Sequence, residues 1–522
     1  MNAPHDLPRR ELARPEPARH EQARHAPPAL TKALPARALQ RNGRTSLGEQ
    51  LAALFAERIA RRALAPGARL PSVRECARTH QVSPSTVVAA YDQLQAQGLV
   101  EARQQRGFFV RDKAGVRGSA GGGAGGGTRG AAAGRTSQPL PLAAPVDATA
   151  LIRGMFQGRP GRQGPGLGTL PEPWLDAALI ERALRRVLSQ CADDLRYGDP
   201  AGDPGLRQAL ARRLDSELGI AASADQLVTT LGATHALDLV ARTLLQPGDA
   251  VLVDEPGWAI EFARLARMGM RLLPVPRGAA GPDLAVMQRL LAEHRPRLYV
   301  TVSVLHNPTG QSLSLASAHQ ILKLAEAHDL TIVEDDTYAW LAPPHAPRLS
   351  ALDGLQRTVY VSGFSKILAP NWRVGYAAAA PALAQRLIDT KLLTTLTTPA
   401  WAERAVAWCL DQGLMRRHAE RVVTRLEASR QRVVRLAEDA GCHFATPPQG
   451  LFGWVETGVN TDALAVRMAE LGWLLAPGSL FHAHPKPSTL MRVNFASSAE
   501  PRFWQSFTKA RAACLTIEGR SK

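Results

Sequence analysis

Thr358-Val359-Tyr360-Val361-Ser362-Gly363-Phe364-Ser365-Lys366 is an apolar run that closes on a lysine beside Ser and Gly, with Pro370 and Arg373 just beyond it. Thr358–Ser362 has the length and β-branched content of a buried strand, so the lysine falls past a strand's end. Similar runs recur outward from it at Leu227–Thr230, Val251–Asp254, Leu298–Ser303 and Thr331–Glu334. Helical patterns lie between and beyond them, as at Ala236–Leu245, Ala316–Ala327 and Leu383–Leu393. Alternation of helices with strands apolar on both faces predicts a mostly parallel α/β sheet. From about 415 to 510 the pattern turns helix-first and then to short strands, which predicts a small C-terminal α+β subdomain.

Ligands of an open parallel sheet sit outside the carboxyl ends of its strands, and the residues there are of complementary types. A lysine so placed is suited to a Schiff base, and pyridoxal 5'-phosphate needs an amine for its aldehyde and donors for its phosphate. Lys366 is the candidate amine, with Arg373 and Ser365 as candidate phosphate ligands. Asp335, in Glu334-Asp335-Asp336-Thr337-Tyr338, can keep the pyridine nitrogen protonated and so make the ring an electron sink. Tyr338, and Asn307 in His306-Asn307-Pro308-Thr309-Gly310, can both donate to the ring's phenolic oxygen. Gly232, Ala233 and Thr234 join a strand to a helix and offer N–H groups to a phosphate. Trp258 offers a face for ring stacking, and Arg492 can clamp a carboxylate bidentately. Each motif alone is weak, since Asn-Pro-Thr-Gly is also an ordinary turn. Five of them in order, all at strand ends, make one site.

Upstream, Gly118 to Gly134 contains Gly121-Gly122-Gly123-Ala124-Gly125-Gly126-Gly127, which cannot bury enough apolar surface to fold. It divides a chain of 522 residues, longer than one core usually holds, into a module at 46–111 and a domain at 165–515, with 112–164 as a flexible linker. Residues 1–45 mix Arg, Pro, Ala and His without periodicity and read as a disordered basic arm. Within 46–111, Leu47, Leu51, Leu54, Phe55 and Ile59 mark one helix face, and Ala65-Pro66-Gly67 stops that helix. Ser72-Val73-Arg74-Glu75 fits a capping box for a second helix. Gln81-Val82 makes the turn, Ser83 caps a third helix, and Pro84 takes its first position. Leu99–Ala102 and Phe108–Val110 then flank a polar turn, which completes the order of a winged helix-turn-helix.

The formal net charge of +17 attracts polyanions, although an arginine-rich composition gives the same balance without function. The five cysteines are scattered and fit reduced thiols, with neither a disulfide framework nor a metal site. No run of about 18 apolar residues and no secretory h-region is present, so a cytoplasmic protein without a membrane partner is expected.

The module resembles the GntR-type DNA-binding domain through Leu70-Pro71-Ser72-Val73-Arg74, Val82-Ser83-Pro84-Ser85-Thr86-Val87, Gly98-Leu99 and the wing Arg106-Gly107-Phe108. That likeness implies Ser83, Ser85 and Thr86 at bases or phosphates of the major groove, with Arg74, Arg106 and Gly107 as further DNA contacts. Many relatives carry Arg where this chain has Pro84, which implies that part of the base readout is missing or shifted. The second domain looks like the fold-type I, aspartate aminotransferase-like proteins over about 165–515. Tyr197-Gly198-Asp199-Pro200-Ala201-Gly202 matches the segment that, in that family, reaches the neighbouring subunit's cofactor phosphate, so Tyr197 implies a homodimer with shared sites. Relatives often place Ser or Thr where this chain has Gly363, which leaves Ser365 or Ser362 to take over.

Joined by a linker, the two halves resemble the MocR (GabR-like) branch of GntR regulators. This implies a dimeric transcriptional regulator that binds an operator with two half-sites. It would sense pyridoxal phosphate, or an amino compound forming an aldimine with it, through a population shift. A working aminotransferase with an accessory DNA-binding domain is the alternative.

Overall fold

The computed structural model describes residues 45–60, 63–103, 107–111, 164–189 and 196–520. The basic arm and nearly all of the proposed linker lie outside them. The chain divides into two compact units, Met1–Thr136 and Ser137–Lys522.

In the first unit, α1 (Leu47–Ala60), α2 (Val73–His80) and α3 (Pro84–Ala96) precede the antiparallel pair β1 (Val100–Arg103) and β2 (Gly107–Val110). The local chemistry explains the starts of α2 and α3. Ser72 accepts from Glu75 N and Ser83 from Thr86 N, each satisfying an orphan N–H, while Pro84 sits where a missing N–H costs nothing. Gln81 turns the chain in the left-handed region at φ 53°. Leu51, Phe55, Leu70, Val87, Tyr91, Leu94 and Val100 form the core. Tyr91 sets its ring edge-on to Phe55, with centroids 5.7 Å apart, and donates its hydroxyl to Pro71 O at 2.9 Å.

The second unit is built on an eight-stranded sheet. Its strands are β3 (Leu227–Thr230), β4 (Ala250–Glu255), β5 (Arg271–Gly278), β6 (Gly281–Pro282), β7 (Leu298–Thr301), β8 (Thr331–Asp335), β9 (Thr358–Gly363) and β10 (Gly375–Ala378). Their order is β3-β10-β9-β8-β7-β4-β5-β6. The pairs from β9 through β5 are parallel, whereas β10 runs against both of its neighbours and β6 against β5. Helices Ala233–Leu244, Ala259–Arg267 and Pro381–Thr394 cover one face, and Leu284–His294 and Leu315–Ala327 cover the other. Strands sealed on both faces must be apolar throughout, and every residue of β3 and β9 is buried.

Beyond the long helix Leu414–Asp439, four short strands form an antiparallel sheet. These are β11 (His443–Phe444), β12 (Phe452–Glu456), β13 (Ala476–Pro477) and β14 (Leu490–Asn494), in the order β11-β12-β14-β13. Helices Thr461–Glu470 and Pro501–Arg520 pack with it, giving the small α+β subdomain. No helix among the described residues is long and apolar enough to cross a membrane.

Candidate functional site

The ends of β3, β7, β8 and β9, with β14 from the small sheet, converge on one cavity. It is lined by Ala233, Thr234, Trp258, Asn307, Asp335, Tyr338, Ser365, Lys366, Arg373 and Arg492, along with Gly166 and Gly168. A larger groove lies elsewhere, along Trp340, Leu426 and Arg430, and holds none of the expected residues.

Lys366 leaves the turn after β9, anchored by the buried Phe364, and its Nζ donates to Gly168 O at 2.7 Å. Burial lowers its pKa to about 8; Arg492 and Arg373 push the same way, while Asp335 opposes them. A group held near 8 keeps a usable fraction of neutral amine at neutral pH. Asp335 ends β8 and accepts from Thr337 N at 3.0 Å and Thr337 Oγ1 at 2.5 Å. Burial raises it to about 6, partly offset by the Thr337 hydroxyl, and the nearby Glu261 adds to the rise. A cation facing Asp335 would therefore stabilise its anion. Tyr338 packs edge-on to Phe452, centroids 5.4 Å apart, and burial lifts its phenol well above the usual range, so it stays a donor.

The phosphate end is shaped by close approach. Gly232 adopts φ +85°, and a β-carbon there would lie 2.6 Å from Arg373 Nη2. The helix that follows begins at Ala233 with no side-chain cap, so its first N–H groups are available to an anion. Arg373 donates to Leu231 O at 2.9 Å and to Ser365 Oγ at 3.1 Å. At Gly363 a β-carbon would come within 3.2 Å of Val374 O and 3.4 Å of Ala233 N, so a Ser or Thr there would need the neighbouring backbone to give by a few tenths of an ångström. Ser362 is fully buried and donates to Asp336 O at 2.8 Å, away from the cavity, whereas Ser365 lines it. Of the two candidates, the geometry favours Ser365.

Arg492 projects from β14, is 6% exposed, and donates to Asn307 Oδ1 at 2.9 Å and Gly166 O at 2.6 Å. Its guanidinium carbon lies 4.4 Å from the Phe452 ring centre and 5.2 Å from that of Phe481. Among the described residues its buried Nε has no hydrogen-bond partner. An amine, a buried acid, a phenol, an uncapped helix start beside an arginine, and a guanidinium with an unfilled donor are together the donor set that pyridoxal phosphate and a carboxylate require. Tyr197 is 83% exposed and does not line this cavity in its own chain. Sequence reasoning placed Gly166 and Gly168 at the start of the domain but did not single them out, because Gly-Pro-Gly carries no motif of the site. It also missed Glu261, which lies on a helix with no motif around it.

On the first unit, Arg74, Ser83 and Ser85 are exposed and Thr86 is half-buried. Ser83 Oγ lies 2.8 Å from both Ser85 Oγ and Thr86 Oγ1, so the three hydroxyls form one cluster at the start of α3. Gly107 adopts φ +94°, and a β-carbon there would sit 3.4 Å from Arg69 Nε. Arg106 lies outside the described residues. Val88, exposed at 43% on the outer side of α3, carries no motif signal and was not anticipated. Cys76, Cys409, Cys442 and Cys514 are all buried, and Cys191 lies outside the described residues.

Comparison with known proteins gives two family matches. The model for aminotransferase class I and II matches residues 169–502, and that for bacterial regulatory proteins of the gntR family matches 47–110. The 2-aminoadipate transaminase of Thermus thermophilus is 31% identical over 362 residues, covering 64% of this chain and 87% of its own. The HTH-type transcriptional regulator TauR of Rhodobacter capsulatus is 29% identical, covering 84% of this chain and 90% of its own. The uncharacterized HTH-type transcriptional regulator YdcR of Escherichia coli is also 29% identical and covers 86% and 94%. Among solved structures, the α-aminoadipate aminotransferase LysN of Thermus thermophilus, complexed with N-(5'-phosphopyridoxyl)-L-leucine, superimposes with a TM-score of 0.65 at 25% identity. It covers 70% of this chain and 95% of that one.

Proposed function

Because the chain belongs to the class I and II aminotransferase family and carries a gntR-family module ahead of it, we propose that it is a DNA-binding transcriptional regulator of the MocR type. Its aminotransferase-like domain acts as the sensor. The observation that carries this reading is the convergence of Lys366, Asp335, Tyr338, Asn307, Arg373 and Arg492 around one cavity, in a chain whose other unit is a winged helix. The working units are a basic arm at 1–45, the DNA-binding module at 46–111, a linker at 112–164 and the sensor at 165–515.

When bound, pyridoxal 5'-phosphate supplies an aldehyde and an electron-withdrawing ring. Lys366 offers it a partly neutral amine. Asp335 holds a proton on the ring nitrogen as a carboxylate, and Tyr338 and Asn307 donate to the phenolic oxygen. Ser365, Arg373 and the N–H groups at Gly232, Ala233 and Thr234 hold the phosphate, and Trp258 stacks on the ring. Arg492 receives a carboxylate, so the effector is an amino compound that bears one. Tyr197 serves the partner's site in a homodimer. Its exposure fits this role. Two DNA modules per dimer favour an operator of two half-sites, contacted through Arg74, Ser83, Ser85, Thr86, Arg106 and Gly107.

The test joins two readouts on the full chain. Borohydride reduction after incubation with the cofactor should fix its mass on Lys366. Genomic DNA fragments retained by the chain should change affinity when an amino acid shifts the cofactor's absorbance. The intact Lys366, Asp335 and Arg492 also fit a working aminotransferase. Efficient multiple turnover with unaltered DNA affinity would establish that second reading.

A further inference from the structure

α3 runs Pro84-Ser85-Thr86-Val87-Val88-Ala89-Ala90-Tyr91-Asp92-Gln93-Leu94-Gln95-Ala96 and carries no Arg or Lys. Packing fixes its inner face, because Val87, Ala90, Tyr91 and Leu94 are buried in the core of the module. The helical period then turns Ser85, Val88, Ala89 and Asp92 outward, and all four are exposed. A lone exposed valine is ordinary on a protein surface. Val88 differs in its place: it stands one turn beyond the hydroxyl cluster of Ser83, Ser85 and Thr86, with Ala89 beside it. A helical valine is also held in essentially one rotamer, so its methyl groups point to a fixed spot.

The second helix of a helix-turn-helix reads base edges in the major groove with its N-terminal residues. Side-chain chemistry limits what this helix can read there. Guanine is recognised by Arg or Lys and adenine by bidentate Asn or Gln. None of these is among the four outward residues, and Gln93 is half-buried at the side. Asp92 can accept only from the cytosine amine, and hydroxyls discriminate little. The apolar pair Val88–Ala89 instead matches the one apolar mark in the groove, the C5-methyl group of thymine. Cations that can meet phosphates lie off α3: Arg74 and Arg78 on α2, and Arg69 beside Gly107, are exposed. Charge and base readout are thus carried by different elements.

We infer that Val88, with Ala89 beside it, is a specificity residue for thymine and packs on a thymine C5-methyl group in each half-site. This rests on the DNA-binding reading above and extends it to the identity of a base.

The test uses the full chain and the genomic fragments it retains, amplified once with thymidine and once with deoxyuridine triphosphate. The exchange removes every C5-methyl group and leaves the pairing edges intact. Burial of one methyl group is worth about fourfold in binding, so over two half-sites the wild type should bind uracil DNA about fifteenfold more weakly. Val88→Ala should bind thymine DNA more weakly than the wild type and lose about threefold or less on the exchange. Its salt dependence should stay that of the wild type, since no phosphate contact is removed. Arg74→Ala should do the opposite, flattening the salt dependence while keeping the full uracil penalty. Any effect of uracil on the duplex itself is common to all three proteins, so the difference between them reports the contact. Equal wild-type affinity for both DNAs, or the same penalty in the wild type and Val88→Ala, would overturn the assignment and leave the regulator reading standing. A chain that retains no fragment preferentially would overturn both.

Discussion

Lys366 and Lys391 are both largely buried, and burial lowers each to about 8, yet their surroundings differ. Lys366 stands at a strand end, on a cavity it shares with Asp335, Arg492 and an uncapped helix. Lys391 is sealed inside the sensor domain at 0% exposure, its Nζ 3.3 Å from both Thr229 Oγ1 and Thr398 Oγ1, which lie 3.0 Å from each other. Glu403 and Asp199 raise its pKa from a distance, but among the described residues it forms no ion pair. The pair shows that a depressed lysine is not by itself a reactive one. What separates them is access and the chemistry on the opposite wall.

The sharpest test of that contrast is Lys366→Met beside Lys391→Met. The first should lose all borohydride-fixed cofactor mass. The second should keep it, and retention in the first or loss in the second would break the comparison. Next in size is a stability effect confined to Lys391. Its folded pKa is about 8, below the ordinary lysine value of 10.5, so the folded state sheds a proton that the unfolded state keeps. Stability attributable to this lysine should therefore rise with pH between those values, by on the order of 3 kcal/mol relative to Lys391→Met. Denaturant midpoints of the two proteins measured across that range check it, and parallel profiles would refute it.

Asp335→Asn removes the anion facing Lys366 and the ring nitrogen. Cofactor affinity should fall by roughly ten- to a hundredfold, the worth of one hydrogen bond to a charged group, as read by absorbance titration. An unchanged affinity would show that Asp335 does not face the ring. The smallest effect belongs to Thr398→Val, which takes one hydroxyl from Lys391. About 1 kcal/mol of stability should be lost with no change in cofactor attachment.

Much of this contrast was legible in the residues, and the remainder was not, for physical reasons. Lys366, Asp335, Asn307 and Gly232 follow apolar runs that announce buried strands, so their placement depends on local pattern. The same holds for Ser72, Ser83 and Pro84, whose capping roles act within three residues. The antiparallel β10 escaped notice because Gly375-Tyr376-Ala377-Ala378 is short and carries no periodicity. β5 escaped because Pro274, Pro276 and Arg277 interrupt its apolar residues. Residues 165–169 fell inside the predicted domain but carried no motif, since the partners that give them structure, Lys366, Arg492 and Asn494, lie about 200 to more than 300 residues away. Lys391 gave no signal either, because its two threonines come from β3 and from a turn beyond its own helix. Ser362 and Ser365 could not be told apart until the strand's burial turned one of them inward.

The central claim is that Lys366 is the trigger of a DNA-binding sensor. The most direct measurement is the affinity of the full chain for the genomic fragments it retains, with and without pyridoxal phosphate and an amino acid that alters its spectrum. The account predicts that the ligands change this affinity in the wild type and leave it unchanged in Lys366→Met. Equal affinities in the wild type under all conditions, alongside sustained transaminase turnover, would contradict it.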